Sequence, residues 1–237
     1  MKVLIAALSS RQPPWGEMID TSKATWDSVE APGIETVYYV GEPESALQNK
    51  VVGFPVPEAY KTMGRKNLLA WEWMLDNHEF DFMARVNASC YVHKARLLAH
   101  CQDLLPFKYL AGSIYQGDEH RATWLWGGHQ FLMSRDVVEA LVTNPETWNH
   151  EEMDDVALSH AATALGVPFV HGDHACAIDK LDSNLWRVVS TNGQNFEFAK
   201  WEDVAQLTDQ HFFRCKIDLR RHLDAFVMRE LQYHLKP

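Results

Sequence analysis

The stretch Phe80-Asp81-Phe82-Met83-Ala84-Arg85-Val86-Asn87-Ala88-Ser89-Cys90-Tyr91-Val92 constrains this chain more than any other. It reads as a buried strand that runs into a cluster of small polar residues and then resumes with Tyr-Val. In open α/β sheets ligands sit outside the carboxyl ends of the strands, so polar residues there point to a small-molecule site near residues 85 to 91. The same residues also suit a turn, where Asn and Ser side chains satisfy backbone groups.

Around this stretch, strand-like runs alternate with helical ones. Residues 2–8, 34–40, 51–56, 80–86 and 109–115 are short and apolar, and several are closed by Gly or Pro. Residues 65–77, 136–142 (after Ser134 as N-cap) and 154–165 read as helices. So do residues 95–105, with Leu97, Leu98, Cys101, Leu104 and Leu105 on one face, ended by Pro106. The tail from Asp218 carries Leu219, Leu223, Phe226, Val227 and Leu231 at helical spacing. This alternation predicts an α/β fold with a mostly parallel central sheet flanked by helices. With 237 residues, 46% of them hydrophobic, the chain can bury a full core, and one domain over 1–237 is expected.

Composition narrows the function. The net charge of -10 counts against a standing electrostatic grip on nucleic acid. The four cysteines form no C-x-x-C pair, which argues against a disulfide framework or a zinc–thiolate site and predicts a reducing, cytoplasmic setting. The first apolar run is too short for a signal peptide, and no segment reaches bilayer length. No P-loop, no strand-following G-x-G-x-x-G and no G-x-S-x-G elbow is present.

Four further constellations carry candidate chemistry. Gly127-Gly128 precedes an apolar run that ends in Ser134-Arg135, and glycine permits positive φ or close approach. Asp154 and Asp155 open a helix, where acids also complement the helix dipole. His171, Asp173 and His174 follow Val167-Pro168 at a spacing that suits a transition metal, or are loop residues bonded to backbone. Arg214 and Lys216, with Arg220 and Arg221 close behind, cluster in a chain with only 22 basic residues and suit phosphate contacts, or equally a set of salt bridges flanking a helix. Trp15, Trp124, Trp126 and Trp148 fall in predicted loops, where aromatic faces stack on sugars or bases, or anchor the core.

The order of these features resembles the fringe-like β-glycosyltransferases over roughly residues 65 to 175. There a strand ends in acids followed by an aromatic-Val pair, and a Gly-Gly…Phe…Ser-Arg run, an acidic helix start and a Val-Pro step come after. The resemblance implies a nucleotide-sugar-binding fold of the GT-A type, with residues 1–110 as the donor half and 111–237 as the acceptor half and C-terminal helix. It implies inverting transfer to a hydroxyl, with Asp155, or alternatively Asp154, as general base. Arg85, Asn87, Ser89, Gly127, Gly128, Arg214 and Lys216 would bind the donor, a UDP-sugar being favoured. The acceptor would be a glycan, a small molecule or a hydroxylated DNA base, the last served by Arg11, Lys23, Arg65 and Lys66; no membrane partner is expected.

One departure stands out. In the family the acids hold a divalent cation, whereas this chain has Asn87, Ala88 and Ser89 there. Neutral side chains are poor ligands for Mn2+ or Mg2+. Such an ion would fall to His174 and His211, or the cations would do its work. A non-catalytic module that binds a nucleotide-sugar or glycan is the alternative.

Overall fold

The computed structural model describes residues 1–42, 47–116, 123–172, 174–217 and 220–235. Asp173, Asp218 and Leu219 lie outside them.

The first half lays down β1 (Val3–Leu8), α1 (Trp15–Ala24), β2 (Ile34–Gly41), β3 (Leu47–Gln48), β4 (Val51–Phe54) and α2 (Met63–Asn77). Then come β5 (Phe82–Asn87), β6 (Cys90–Val92), α3 (Lys94–Gln102) and β7 (Leu110–Gly112). The second half adds β8 (Ile114–Tyr115), β9 (Trp124–Leu125), β10 (Phe131–Ser134), α4 (Arg135–Thr143), α5 (Asp154–Ala164) and β11 (Phe169–His171). It closes with β12 (Ala175–Lys180), β13 (Trp186–Ser190), β14 (Phe196–Phe198), β15 (Phe212–Arg214) and α6 (Leu223–Leu235).

The main sheet has the order β11-β7-β10-β5-β1-β2-β4-β3. Its centre is parallel, β5 with β1, β1 with β2 and β2 with β4, while β10 runs antiparallel to both β5 and β7. Strand β1 shows why it sits in the middle. All six residues are buried, Val3, Ile5 and Ala7 in one core and Leu4, Ala6 and Leu8 in the other. Such a run needs cover on both faces. Each fully buried aliphatic side chain contributes roughly 1.5–3 kcal/mol. Helices α2, α4 and α5 cover one face, and α1, α3 and α6 pack with the second core.

A second sheet, β14-β13-β12-β15-β6, was not foreseen from the sequence. Its strands are short, and β13 alternates buried and exposed residues. It begins two residues after β5: the chain turns at Ala88-Ser89 and leaves the main sheet as β6. Tyr91-Val92 therefore belongs to a different sheet from Arg85-Val86. The third helix is also shorter than its apolar spacing predicts. It ends at Gln102, and Leu105 is 81% exposed rather than on the buried face. Ser134 does stand at the N-cap of α4, yet its hydroxyl donates to the Asp136 carboxylate instead of capping the helix.

The candidate donor pocket

Strands β1, β2 and β5 end at one edge of the main sheet, and β10, being antiparallel, begins there. Phe131 pairs with Arg85, so the turn before β10 is delivered beside the end of β5. The second sheet brings in the far end of the chain. Strand β15 pairs antiparallel with β6, Arg214 opposite Cys90, and the Cys215 N–H donates to the Ser89 carbonyl at 2.8 Å. Arg214 and Lys216 thereby reach the turn at Ala88-Ser89. The result is a cavity of about 390 Å³. It is lined by Arg85, Asn87, Ser89, Gly127, Gly128, Asp154, Asp155, Arg214 and Lys216. These nine positions are spread over residues 85 to 216, and all nine are donor or catalytic candidates from the sequence.

The two acids differ in their surroundings. Asp154 takes a short contact from the Arg85 guanidinium and accepts from Asn67 Nδ2 at 3.2 Å. Arg85 is 1% exposed, and it also donates to the Gly127 carbonyl at 3.1 Å. Asp154 and Arg85 thus form a buried pair that fixes the Gly127 turn to β5. Arg85, expected to meet a leaving diphosphate, lines the cavity with its charge compensated by Asp154. Among the described residues Asp155 has no cationic partner of this kind. Its two oxygens accept the N–H groups of Gly127 and Val156, each at 2.9 Å. Burial pushes its carboxyl above the ordinary value, the Gly127 N–H opposes this, and Asp154 beside it adds to the rise. A carboxylate with raised proton affinity is the better proton acceptor.

Both glycines line the cavity beside protein side chains. Neither has a left-handed φ. A Cβ on Gly127 would lie 2.8 Å from the Asp155 Cβ, and one on Gly128 would overlap the Arg214 guanidinium and come within 2.6 Å of the Trp126 ring. They make room for the protein's own acid and arginine.

The cationic wall is larger than Arg214 and Lys216. Arg221 also lines the cavity, its guanidinium 4.5 Å above the Trp15 ring, while that of Arg214 lies 4.8 Å from the Trp126 ring. Both tryptophans line the cavity. Trp148 does not: it is 5% exposed and packs edge-on against Trp71. Sequence reasoning missed Ser9, Ser10, Gln12 and Glu58 in the lining. The Ser9-Ser10 pair after a buried first strand was the available signal.

Among the described residues, the side chains at the Asn87-Ala88-Ser89 turn do not fit a divalent cation. Asn87 turns its amide nitrogen to the Gly127 carbonyl at 2.8 Å. The acids nearby are engaged, Glu58 by Lys66 at 2.7 Å and by the Gly41 N–H. Among the described residues no group of three or more His, Cys, Asp or Glu could hold a metal ion. His174 and His211 do come together, with ring centroids 5.5 Å apart and His100 4.4 and 5.1 Å from them, but none of the three lines the cavity. His211 is buried and bonded to Gln130, and His174 to the Asp209 carbonyl. His171 is exposed.

Two of the residues offered for DNA are engaged within the chain. Lys66 is buried against Glu58 and the Ser9 carbonyl, and Arg11 is paired with Glu42. All four cysteines are free and buried. No helix of the described residues is long and apolar enough to cross a membrane.

No protein family matches the sequence of this chain, and no curated protein does. A solved structure does match in three dimensions. It is a glycosyltransferase involved in the glycosylation of the major capsid of PBCV-1, with a TM-score of 0.54 and 11% identity over 97% of this chain and 100% of that one. This chain has a glycosyltransferase fold. At that identity the likeness shows the architecture alone.

Proposed function

We propose that the chain transfers a sugar from a nucleotide-sugar, a UDP-sugar by preference, to a hydroxyl acceptor with inversion. One observation carries the reading. Residues singled out separately along the sequence as base and diphosphate clamp line one cavity, with Asp155 and the cations Arg214, Lys216 and Arg221 in its walls. The fold shared with a glycosyltransferase supports it.

Asp155 accepts the proton of the acceptor hydroxyl as its oxygen attacks the anomeric carbon. The bond from that carbon to the diphosphate oxygen breaks, and the electron pair leaves with the nucleoside diphosphate. The charge growing on the leaving group needs stabilisation. Arginine suits it through bidentate contacts, and the three side chains supply cationic charge where a metal would otherwise act. Arg85 and Asp154 position the Gly127 turn against which Asp155 is bonded. Asn87 and Ser89 line the donor side. Trp15 and Trp126 offer aromatic faces for base or sugar.

A second reading, a non-catalytic binding module, draws on the neutral Asn87-Ala88-Ser89 run. Calorimetry with UDP-, GDP-, CMP- and dTDP-sugars, with and without Mn2+, tests donor binding. Asp155→Asn then separates the two readings. An enzyme keeps its donor affinity and loses about 10²- to 10⁴-fold in turnover. Donor binding with no turnover by the unmutated protein on any hydroxyl acceptor would favour the module.

A further inference from the structure

Asp224 is a fully buried acid that the reaction above does not use. It sits in the first turn of α6. One carboxylate oxygen accepts the Ile217 N–H at 2.8 Å, and the other lies 2.8 Å from a terminal nitrogen of Arg221. Arg221 reaches from there over the Trp15 ring into the cavity wall. Ile217 directly follows Lys216, so one carboxylate holds both segments that carry the cationic wall.

The groups that face Asp224 come from several elements. Arg221 precedes its own helix, Arg214 and Lys216 come from β15 and the residues after it, and the Cys90 and Cys215 thiols lie close by. Helix α1 meets this region through Ser22, bonded to Met228, and through Met18 against Arg221. Burial pushes the Asp224 carboxyl up to about 7, against the pull of the Ile217 N–H and the three cations.

We propose that Asp224 is a positioning residue for the donor phosphates, which fixes Arg221 and the Lys216 segment in the wall and, as their counter-ion, couples phosphate binding to its own protonation. The inference rests on the donor reading of this cavity. A diphosphate at these cations repels the buried carboxylate and competes with it for their charge. Binding therefore favours the protonated acid and takes up a proton, and by reciprocity protonation favours binding. As pH rises through about 7 the carboxylate ionises and donor affinity falls.

The probe is UDP-glucose, whose diphosphate diester keeps constant charge near neutrality. It is titrated calorimetrically into the full chain from about pH 6 to about pH 8.5, in buffers of different ionisation enthalpy. The expected result is a Kd that rises at least about fivefold over that range, with proton uptake on binding. Asp224→Asn keeps an oxygen for the Ile217 N–H and is expected to show a flat Kd and no uptake. Asp155→Asn, which removes the other acid of raised proton affinity, is expected to retain the dependence. Should Asp224→Asn fail to fold, loss of proton uptake in Arg221→Gln carries the same decision. A flat Kd in the unmutated protein, or a dependence that survives Asp224→Asn, overturns the proposal. No binding at any pH would instead overturn the donor reading and the inference together.

Discussion

Gly128→Ala separates a steric role for this glycine from a conformational one. The backbone at Gly128 is not left-handed, so alanine meets no φ penalty there. Its Cβ would nevertheless overlap the Arg214 guanidinium and crowd the Trp126 ring at 2.6 Å. The atoms it meets are ends of side chains rather than backbone. Arg214 can therefore swing away, and the fold should lose little, about 1 kcal/mol at the low end of overpacking costs. The loss should appear in binding. A charge-assisted hydrogen bond is worth about 1.5–3 kcal/mol. If Arg214 contributes one such bond to the donor diphosphate, displacing it weakens donor binding about 10- to 150-fold. Thermal melts report the first quantity and calorimetry with a nucleotide-sugar the second. A folded Gly128→Ala protein whose donor Kd stays within about twofold would refute the argument that this glycine exists to admit Arg214. A collapse in Tm would refute the claim that Arg214 can yield cheaply.

Arg85→Met should cost about 3–5 kcal/mol in denaturant unfolding, because it strands the buried Asp154 carboxylate; a loss below about 1 kcal/mol would contradict the buried-pair reading. Burial holds His129 down to about 3 and His93 to about 4, with Arg214 and Arg96 respectively adding to the effect, and it holds His211 well below its ordinary value. Their ring resonances should therefore stay those of neutral imidazole at pH 6, and protonation of any of the three above that pH would contradict the packing. A folded pKa below the unfolded one means their share of stability is present above about 6.5 and lost as pH falls toward those values. With Asp155 raised by burial, the acid limb of kcat/KM should lie above the ordinary aspartate range; a limb below it would point to another base.

The sequence by itself determined the class of fold and the inner residues of the site. Val3 to Leu8 is a short apolar run without alternation ended by Ser9-Ser10, as suits a strand buried on both faces. Asn87 and Ser89, Gly127 and Gly128, and Asp154 and Asp155 were legible because each breaks a regular element where packing gives no reason for polar or glycine residues. Tertiary structure decided which member of each group does what. Nothing local distinguishes Asp154 from Asp155; only the arrival of Arg85, 69 residues earlier in the chain, neutralises one and leaves the other to backbone N–H donors. Nothing local shows that Gly128 makes way for Arg214, since their approach depends on the pairing of β15 with β6. That pairing lies within a second sheet of short strands with weak periodicity, and so it stayed hidden. A positive charge near a carboxylate is a fact of distance, and distance between residues far apart in the chain is set by the fold.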